Sequence, residues 1–224
     1  AGAVKAKLGD HSGALPHLEQ AVKVSPHSKE VLCNLGATYH ALGNDIDAID
    51  SYRSALKISP EEKGIHFNLG NCLRTQGKLE TAEKSYRQAI EIDPEYAEAF
   101  NNLGLVLQLD SRFDEAVQCF QRAINLRPSY IEALQNLASG ELQLGNFLSC
   151  LKTADLVIQL DSGILEAYYT KGNALLALKA YEGASDQFSQ ALKINPDHFD
   201  TLIDYSDALL KCGKYLEALE LCDR

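Results

Sequence analysis

Four asparagines recur in this sequence at intervals of 34 residues: Asn34, Asn68, Asn102 and Asn136. We call them the asparagine row. A side-chain amide offers one hydrogen-bond acceptor and two donors, which are the groups that pair with a peptide backbone of any sequence. The spacing therefore indicates binding chemistry that is repeated once in every structural unit.

Other polar residues accompany the row. Amides stand one place before or three places after its slots, at Asn71, Asn101, Gln135 and Asn173. At the C-terminal end Asp204 takes the slot of the asparagine, and Asp207 follows three residues later. We expect these two acids to favour a basic stretch of a bound peptide, because opposite charges attract.

Prolines in register predict the elements that position these residues. Pro26, Pro60, Pro94 and Pro128 are spaced by 34 residues, and Pro196 follows after twice that interval, with Ser162 at the vacant place. A fixed period near 34 is typical of stacked helical hairpins. Proline has no amide hydrogen and clashes with the preceding helical turn, so we expect it to stop the second helix of each hairpin.

The apolar pattern within one period supports two helices. In 97–130, apolar residues recur every three or four places, first at Phe100, Leu103 and Leu107 and again at Ala116, Phe120 and Ala123. Glycine separates the two runs in four units, where it permits the left-handed geometry that ends a helix: Gly43, Gly77, Gly145 and Gly213. Neither helix buries its apolar stripe alone, so neighbouring hairpins must stack.

Further positions recur when each unit is numbered so that its proline is position 32. Position 8 is mostly glycine, position 20 mostly alanine and position 24 mostly aromatic; examples are Gly36, Gly70, Gly172, Ala48, Ala82, Tyr52, Tyr86 and Phe188. This pattern resembles the tetratricopeptide repeat. The resemblance implies an all-α, right-handed superhelical solenoid of antiparallel helix pairs whose function is protein–protein recognition.

The predicted organisation is a single array over 1–224. It comprises a partial repeat (1–28), five full repeats (29–62, 63–96, 97–130, 131–164 and 165–198) and a truncated repeat (199–224). Because the sequence contains no methionine, we expect it to be a fragment of a longer protein.

The resemblance also implies that the first helices line a concave groove and that the asparagine row faces it. Successive groove helices lie about 10 Å apart and an extended peptide advances about 3.3 Å per residue, so each asparagine would meet roughly every third residue. The row is similar to the one that holds substrate peptides in O-linked N-acetylglucosamine transferase. Alternatively, asparagine at this position is a general feature of the repeat and bonds only locally.

Other functions are less well supported. The carboxylate clamp of chaperone adaptors needs cations where this chain has Glu98 and Asn102. Phosphate-binding, zinc-protease and nucleophile-elbow motifs are missing, so no catalysis and no cofactor are predicted, although a catalytic domain could lie outside this chain. The main alternative is a structural scaffold that self-associates through its convex face or open ends.

The composition of the chain limits the classes of ligand that it is expected to bind. A net charge of −10 disfavours nucleic acid and anionic membranes, so we expect a protein or peptide ligand. The six cysteines form no CxxC pair, which predicts neither a metal centre nor a redox motif. Cys150 and Cys222 occupy core positions, as buried free thiols would. We expect an intracellular, cytoplasmic location.

Two places depart from the repeat pattern. In 131–164, Glu141 fills a core slot, Ala154 replaces the aromatic residue and Ser162 replaces proline. Unless neighbours such as Leu151 and Tyr168 compensate, we expect altered curvature or raised mobility near 150–165. Lys179 replaces the glycine between helices, which predicts a different turn there.

Overall fold

The structure is a computed structural model that describes residues 2–222, with only the backbone described for Cys222. The described residues form fourteen helices and no strand. The chain divides into two compact units, unit 1 (Ala1–Ser111) and unit 2 (Arg112–Arg224). Within each unit every helix packs against the next one along the chain, so the fold is the all-α repeat architecture that the sequence predicts.

Unit 1 contains seven helices: α1 (Gly2–Lys7), α2 (His11–Val24), α3 (Lys29–Ala41), α4 (Asp45–Ile58), α5 (Lys63–Thr75), α6 (Leu79–Ile92) and α7 (Ala97–Leu109). Unit 2 contains the other seven: α8 (Phe113–Leu126), α9 (Ile131–Gln143), α10 (Phe147–Leu160), α11 (Leu165–Ala177), α12 (Tyr181–Ile194), α13 (Phe199–Lys211) and α14 (Tyr215–Cys222). The first helix of each pair from α3 onward begins at the residue that opens a 34-residue period.

The second helices end at the same place with or without proline. α4, α6, α8 and α12 stop two residues before a proline, and α10 stops at Leu160, two residues before Ser162. There the Asp161 side chain accepts a hydrogen bond from the Gly163 amide at 2.8 Å. The same side-chain turn follows α6 and α12, at Asp93 and Asn195. The same side-chain turn therefore follows a second helix whether or not proline is present.

The turn at Lys179 does not differ from the others, so that prediction is wrong. Lys179 has φ 62°, close to the φ of 69° at Gly77. Its hydrogen bonds also match, because the Ala180 amide reaches the Leu175 carbonyl at 2.9 Å, as the Lys78 amide reaches Leu73. The lysine adopts the left-handed geometry at a cost of about 1–2 kcal/mol, which the surrounding hairpin imposes.

Glycine at position 8 lets each hairpin close on its aromatic residue. A Cβ at Gly36 would lie 2.9 Å from the Tyr52 ring, and one at Gly172 would lie 2.5 Å from the Phe188 ring. Real Cβ atoms do not approach so closely, and the rings of Tyr52 and Phe188 are almost fully buried. The recurrence of small and aromatic residues therefore reflects direct contact within a hairpin.

The α9–α10 pair solves the same packing problem with two alanines. Ala138 replaces the glycine and Ala154 replaces the aromatic residue, and both are buried. Leu151 packs against the core cluster of Ala138, Cys150 and Ala174, together with Leu142 and Phe147. Apolar neighbours thus fill the space of the missing ring, whereas the mobility of 150–165 stays a prediction.

Glu141, in a core slot of α9, is buried but fully engaged. Its side chain is 6% exposed and accepts hydrogen bonds from Ser149 Oγ at 2.6 Å and Thr153 Oγ1 at 2.8 Å. A buried carboxylate without such donors would be costly. The two hydroxyls of α10 therefore fasten this acid between the helices.

Candidate peptide-binding face

Within each unit, the first helices of successive pairs lie closer together than the second helices do. In unit 1, α3 approaches α5 and α5 approaches α7 with Cα atoms within 8 Å, and in unit 2 α11 similarly approaches both α9 and α13. Among the described residues, no such contact joins α2 to α4, α4 to α6, α10 to α12 or α12 to α14. Because the second helices are further apart, the first helices line the inner face of each unit.

Asn34 and Asn68 present open amides on this face. They lie on the neighbouring helices α3 and α5, and both are half-buried. Neither side chain hydrogen-bonds to another described residue, while the Asn34 carbonyl accepts from the Thr38 hydroxyl within its own helix. Two donors and an acceptor on each amide are therefore left for a ligand or for water.

Asn102, the third member of the row, is held by other amides. Its Nδ2 donates to Asn71 Oδ1 at 2.8 Å, and its Oδ1 accepts from Asn101 Nδ2 at 3.3 Å. Asn71 Oδ1 also accepts from the Tyr86 hydroxyl at 2.7 Å. Asn101 is 4% exposed. This network joins α5, α6 and α7, so these amides brace the face as well as line it.

Arg74 is a residue on this face that the sequence reasoning missed. Burial raises the pKa of Tyr86 to about 12, and the nearby Arg74 guanidinium opposes that rise. The Arg74 Nε is buried and has no hydrogen-bond partner among the described residues. Arg74 stands six residues after Asn68, so it could have been found by asking which charged residues share the helix with the row.

In unit 2, Gln135 and Asn136 lie half-buried on α9, and Asn173 lies half-buried on α11. The Tyr169 side chain lies close to both Asn173 and Asp204 of α13. Burial is the main cause that raises the pKa of Tyr169, the nearby Asn173 amide opposes the rise, and the Asp204 carboxylate adds to it. Asp204 therefore already has a neutral neighbour.

Asp207, one turn further along α13, also has a partner. Its carboxylate lies 2.7 Å from Lys211 Nζ, and each side chain is a little under half exposed. Ion pairs at such exposed sites are weak, typically 0–1 kcal/mol. The two acids that were predicted to select a basic ligand are thus occupied, although the ion pair at Asp207 can be broken cheaply.

Stacked hairpins with polar side chains on the inner face define this chain as a helical-repeat interaction protein. Sequence profiles of the tetratricopeptide repeat match residues 2–63, 70–111, 97–130 and 165–198. These segments cover well over half of the chain, and the chain belongs to the tetratricopeptide repeat family. It is therefore a protein–protein interaction module.

Solved structures of this family share the fold. YrrB, described as a tetratricopeptide repeat protein with an unusual peptide-binding site, is 21% identical with a TM-score of 0.72, covering 83% of this chain and 95% of YrrB. A repeat protein from Parabacteroides merdae is 19% identical, with a TM-score of 0.76 over 87% of this chain and 77% of its own. MamA from Desulfovibrio magneticus is 17% identical, with a TM-score of 0.69 over 72% and 91%.

No curated protein matches the sequence. Within residues 2–222, none of the helices combines the length and the apolar character needed to cross a membrane.

Proposed function

We propose that the inner face of unit 1 binds an extended segment of a partner protein through backbone hydrogen bonds. The observation that carries this proposal is the pair of open amides at Asn34 and Asn68 on adjacent helices. Helices in contact lie about 8–10 Å apart, which matches about three residues of an extended chain. The peptide-binding site ascribed to YrrB, a structure of similar fold, supports the same use of this architecture.

The hydrogen bonds of Asn102 indicate how much each asparagine would contribute to ligand binding. One donor of Asn102 is committed to Asn71 Oδ1, and its oxygen already accepts from Asn101 Nδ2. A ligand would gain less there than at Asn34 or Asn68. Asn71 and Asn101 then act by fixing the orientation of the Asn102 amide, and Asn136, Gln135 and Asn173 form the corresponding polar surface of unit 2.

The test is selection from a random peptide library by the whole chain, followed by affinity measurement. Removing two hydrogen bonds of about 1 kcal/mol each should weaken selected peptides roughly thirtyfold in Asn34→Ala/Asn68→Ala. The matched control is Asn125→Ala, because Asn125 is an exposed asparagine on the second helix α8. Equal affinities of both variants and the parent would show that the row is a general feature of the repeat.

We also propose that a basic ligand residue competes with Lys211 for Asp207. In Lys211→Ala the carboxylate is released, so selected peptides should carry more lysine and arginine than those from the parent. In Asp207→Asn that enrichment should disappear. Unchanged peptide composition in both variants would contradict a role of Asp207 in ligand choice.

In a larger protein this face would serve as the recognition part, for example of a glycosyltransferase-like enzyme. The similarity of the asparagine row to that of O-linked N-acetylglucosamine transferase supports this context. The free thiols of the described cysteines fit an intracellular, cytoplasmic location, where thiols stay reduced. Fluorescent tagging of the natural protein would test its compartment, and sequencing of its natural transcript would test whether a catalytic domain accompanies this face.

A scaffold that self-associates is the second candidate, and an apolar groove on the last helix pair favours it. Phe199, Ile203 and Leu210 are 71%, 51% and 47% exposed, and with Leu202 and Leu221 they line a groove of about 680 Å³. Analytical ultracentrifugation over a hundredfold concentration range would detect self-association. A dimer that disappears in Phe199→Ser/Ile203→Ser would support the scaffold, and a monomer at all concentrations would rule it out.

A further inference from the structure

Asp45 is a buried carboxylate in a place where the five later repeats carry apolar or aromatic side chains. It is the first residue of α4 and is only 4% exposed. The equivalent residues are leucine, phenylalanine or tyrosine: Leu79, Phe113, Phe147, Tyr181 and Tyr215. Aspartate is rarely buried unless it is paired or coordinates a metal, so the surroundings of Asp45 need an explanation.

A histidine and a cysteine surround this carboxylate. His40 Nδ1, in the last turn of α3, lies 2.5 Å from Asp45 Oδ1. Cys72, on α5, is fully buried, and its thiol lies close enough to Asp45 for the charge of the carboxylate to raise its pKa. One nitrogen, one oxygen and one sulfur from these three residues all lie within 4.8 Å of one another.

We propose that His40, Asp45 and Cys72 form a binding site for a divalent transition metal of the zinc type. Imidazole, carboxylate and thiolate are the ligands of zinc in proteins, and three protein ligands leave the fourth tetrahedral position to water. Magnesium and calcium prefer oxygen alone, so the donor set selects against them. We call these three residues the His–Asp–Cys site.

The geometry needs only small adjustments. Zinc lies about 2.0–2.3 Å from its ligands, and a tetrahedral arrangement of such bonds separates the ligand atoms by roughly 3.5 Å. The present separations are at most 4.8 Å, while His40 Nδ1 and Asp45 Oδ1 lie 2.5 Å apart. Metal binding would therefore draw the thiol closer and part the imidazole from the carboxylate, each by about one ångström, which side-chain rotation can supply. The His40 side chain is 38% exposed and opens the site toward solvent.

Binding must displace the proton of the thiol. Burial, together with the Asp45 carboxylate, raises the pKa of Cys72 to about 12, so the free site holds a neutral thiol. The reaction is Cys72–SH plus M²⁺ giving Cys72–S–M⁺ plus H⁺. Tyr52 and Tyr86 lie close enough to Cys72 for the charges to interact. The pKa values of both tyrosines are also raised, so both stay protonated. Because one proton is released on binding, affinity should rise about tenfold per pH unit as long as the free thiol stays protonated.

The experiment is a titration of the whole chain with Co²⁺, followed by displacement with Zn²⁺. A thiolate bound to Co²⁺ gives a charge-transfer absorption band, which exposed carboxylates cannot produce. We expect one ion per chain, loss of the band in Cys72→Ala, and at least tenfold weaker binding in His40→Gln and in Asp45→Asn. The matched control is Cys150→Ala, which removes the buried thiol beside Glu141 and should leave the band unchanged.

A second measurement separates loss of ligands from loss of folding. Circular dichroism of each variant in a chelator should match the parent, and the parent alone should gain thermal stability from Zn²⁺ and release one proton on binding it. A band that survives in Cys72→Ala, or no saturable binding by the folded parent at millimolar metal, would overturn the proposal. The three residues would then be a hydrogen-bonded network that only holds α3, α4 and α5 together.

Discussion

Two regions of the molecule bury a carboxylate next to a thiol, and they handle it in different ways. In α3–α5, Asp45 meets His40 and Cys72. In α9–α10, Glu141 meets two hydroxyls, from Ser149 and Thr153. Hydroxyl donors satisfy an acid completely, whereas imidazole and thiol are themselves strong metal ligands. The comparison teaches that the donors around a buried acid, and not its burial, decide whether the place is only structural.

The cores of these two regions differ as well. The α3–α4 pair closes Gly36 onto the ring of Tyr52, while α9–α10 has Ala138 and Ala154 at the same positions. In α3–α4 one large aromatic side chain fills the core. In α9–α10 the core is filled by several smaller contributions, from Leu142, Phe147 and Leu151. The two hairpins should therefore respond very differently to matched substitutions.

The largest contrast is expected from Tyr52→Ala. Tyr52 is 1% exposed, and removing a large buried side chain typically costs 3–5 kcal/mol of unfolding free energy. The matched change in α9–α10 is Leu151→Ala, which removes a partly buried residue and should cost about half as much. Urea denaturation followed by circular dichroism gives both values. Equal losses would mean that each core depends on one side chain to the same extent.

A smaller effect is expected when Glu141 loses its donors. In Ser149→Ala/Thr153→Val the carboxylate stays buried without partners, which should cost about 2–3 kcal/mol, because hydrogen bonds to charged groups are strong. Ser85→Ala is the control, since the buried Ser85 hydroxyl bonds only to the Thr81 carbonyl of its own helix. Losses no greater than in that control would show that water satisfies Glu141.

Most of the fold could be predicted from the sequence because its determinants are local and repeated. The 34-residue period sets the helix starts, and left-handed glycines set the turns. The turn at Lys179 was mispredicted because the hairpin imposes its geometry on any residue. The asparagine row was found, but its hydrogen bonds were not, since the contact of Asn71 with Asn102 depends on the distance between α5 and α7.

The His–Asp–Cys site escaped the sequence reasoning for a similar reason. His40, Asp45 and Cys72 lie on three helices, and their spacing matches no metal-binding motif. The available signal was Asp45 itself, an acid at a position that is apolar or aromatic in the five later repeats. A search for single departures from the repeat pattern would have found it, as it found Glu141.

Gly36→Ala tests the close approach on which the aromatic core depends. The added Cβ would lie 2.9 Å from the Tyr52 ring, and such overpacking typically costs 1–3 kcal/mol, so we expect about 2. The reverse change, Ala138→Gly, meets no ring and should cost only about 0.5–1 kcal/mol through the flexibility of glycine. Thermal unfolding of both variants measures the difference. A larger loss in Ala138→Gly would mean that the α9–α10 core depends on that methyl group.

The buried thiols give the smallest contrast, which appears only at high pH. Burial raises the pKa of both Cys72 and Cys150 to about 12. The folded protein therefore binds these protons more tightly than the unfolded chain does. Each thiol stabilises the fold fully below about pH 8.5, the unfolded pKa, and this contribution is lost as the pH rises toward 12. By about pH 9.5 the free energy of unfolding should have fallen by roughly 1.4 kcal/mol for each thiol.

Cys150→Ala and Cys72→Ala should each abolish the fall in the free energy of unfolding that the replaced thiol causes at high pH. The measurement is the free energy of unfolding in a chelator at about pH 7.5 and pH 9.5, for the parent and both variants. Since Asp45 and Glu141 stand beside the two thiols alike, we expect equal effects in the absence of metal. With Zn²⁺ added, the His–Asp–Cys site should hold Cys72 as a thiolate, so the alkaline loss should shrink at Cys72 alone. An identical response of both thiols to zinc would contradict the difference between the two regions.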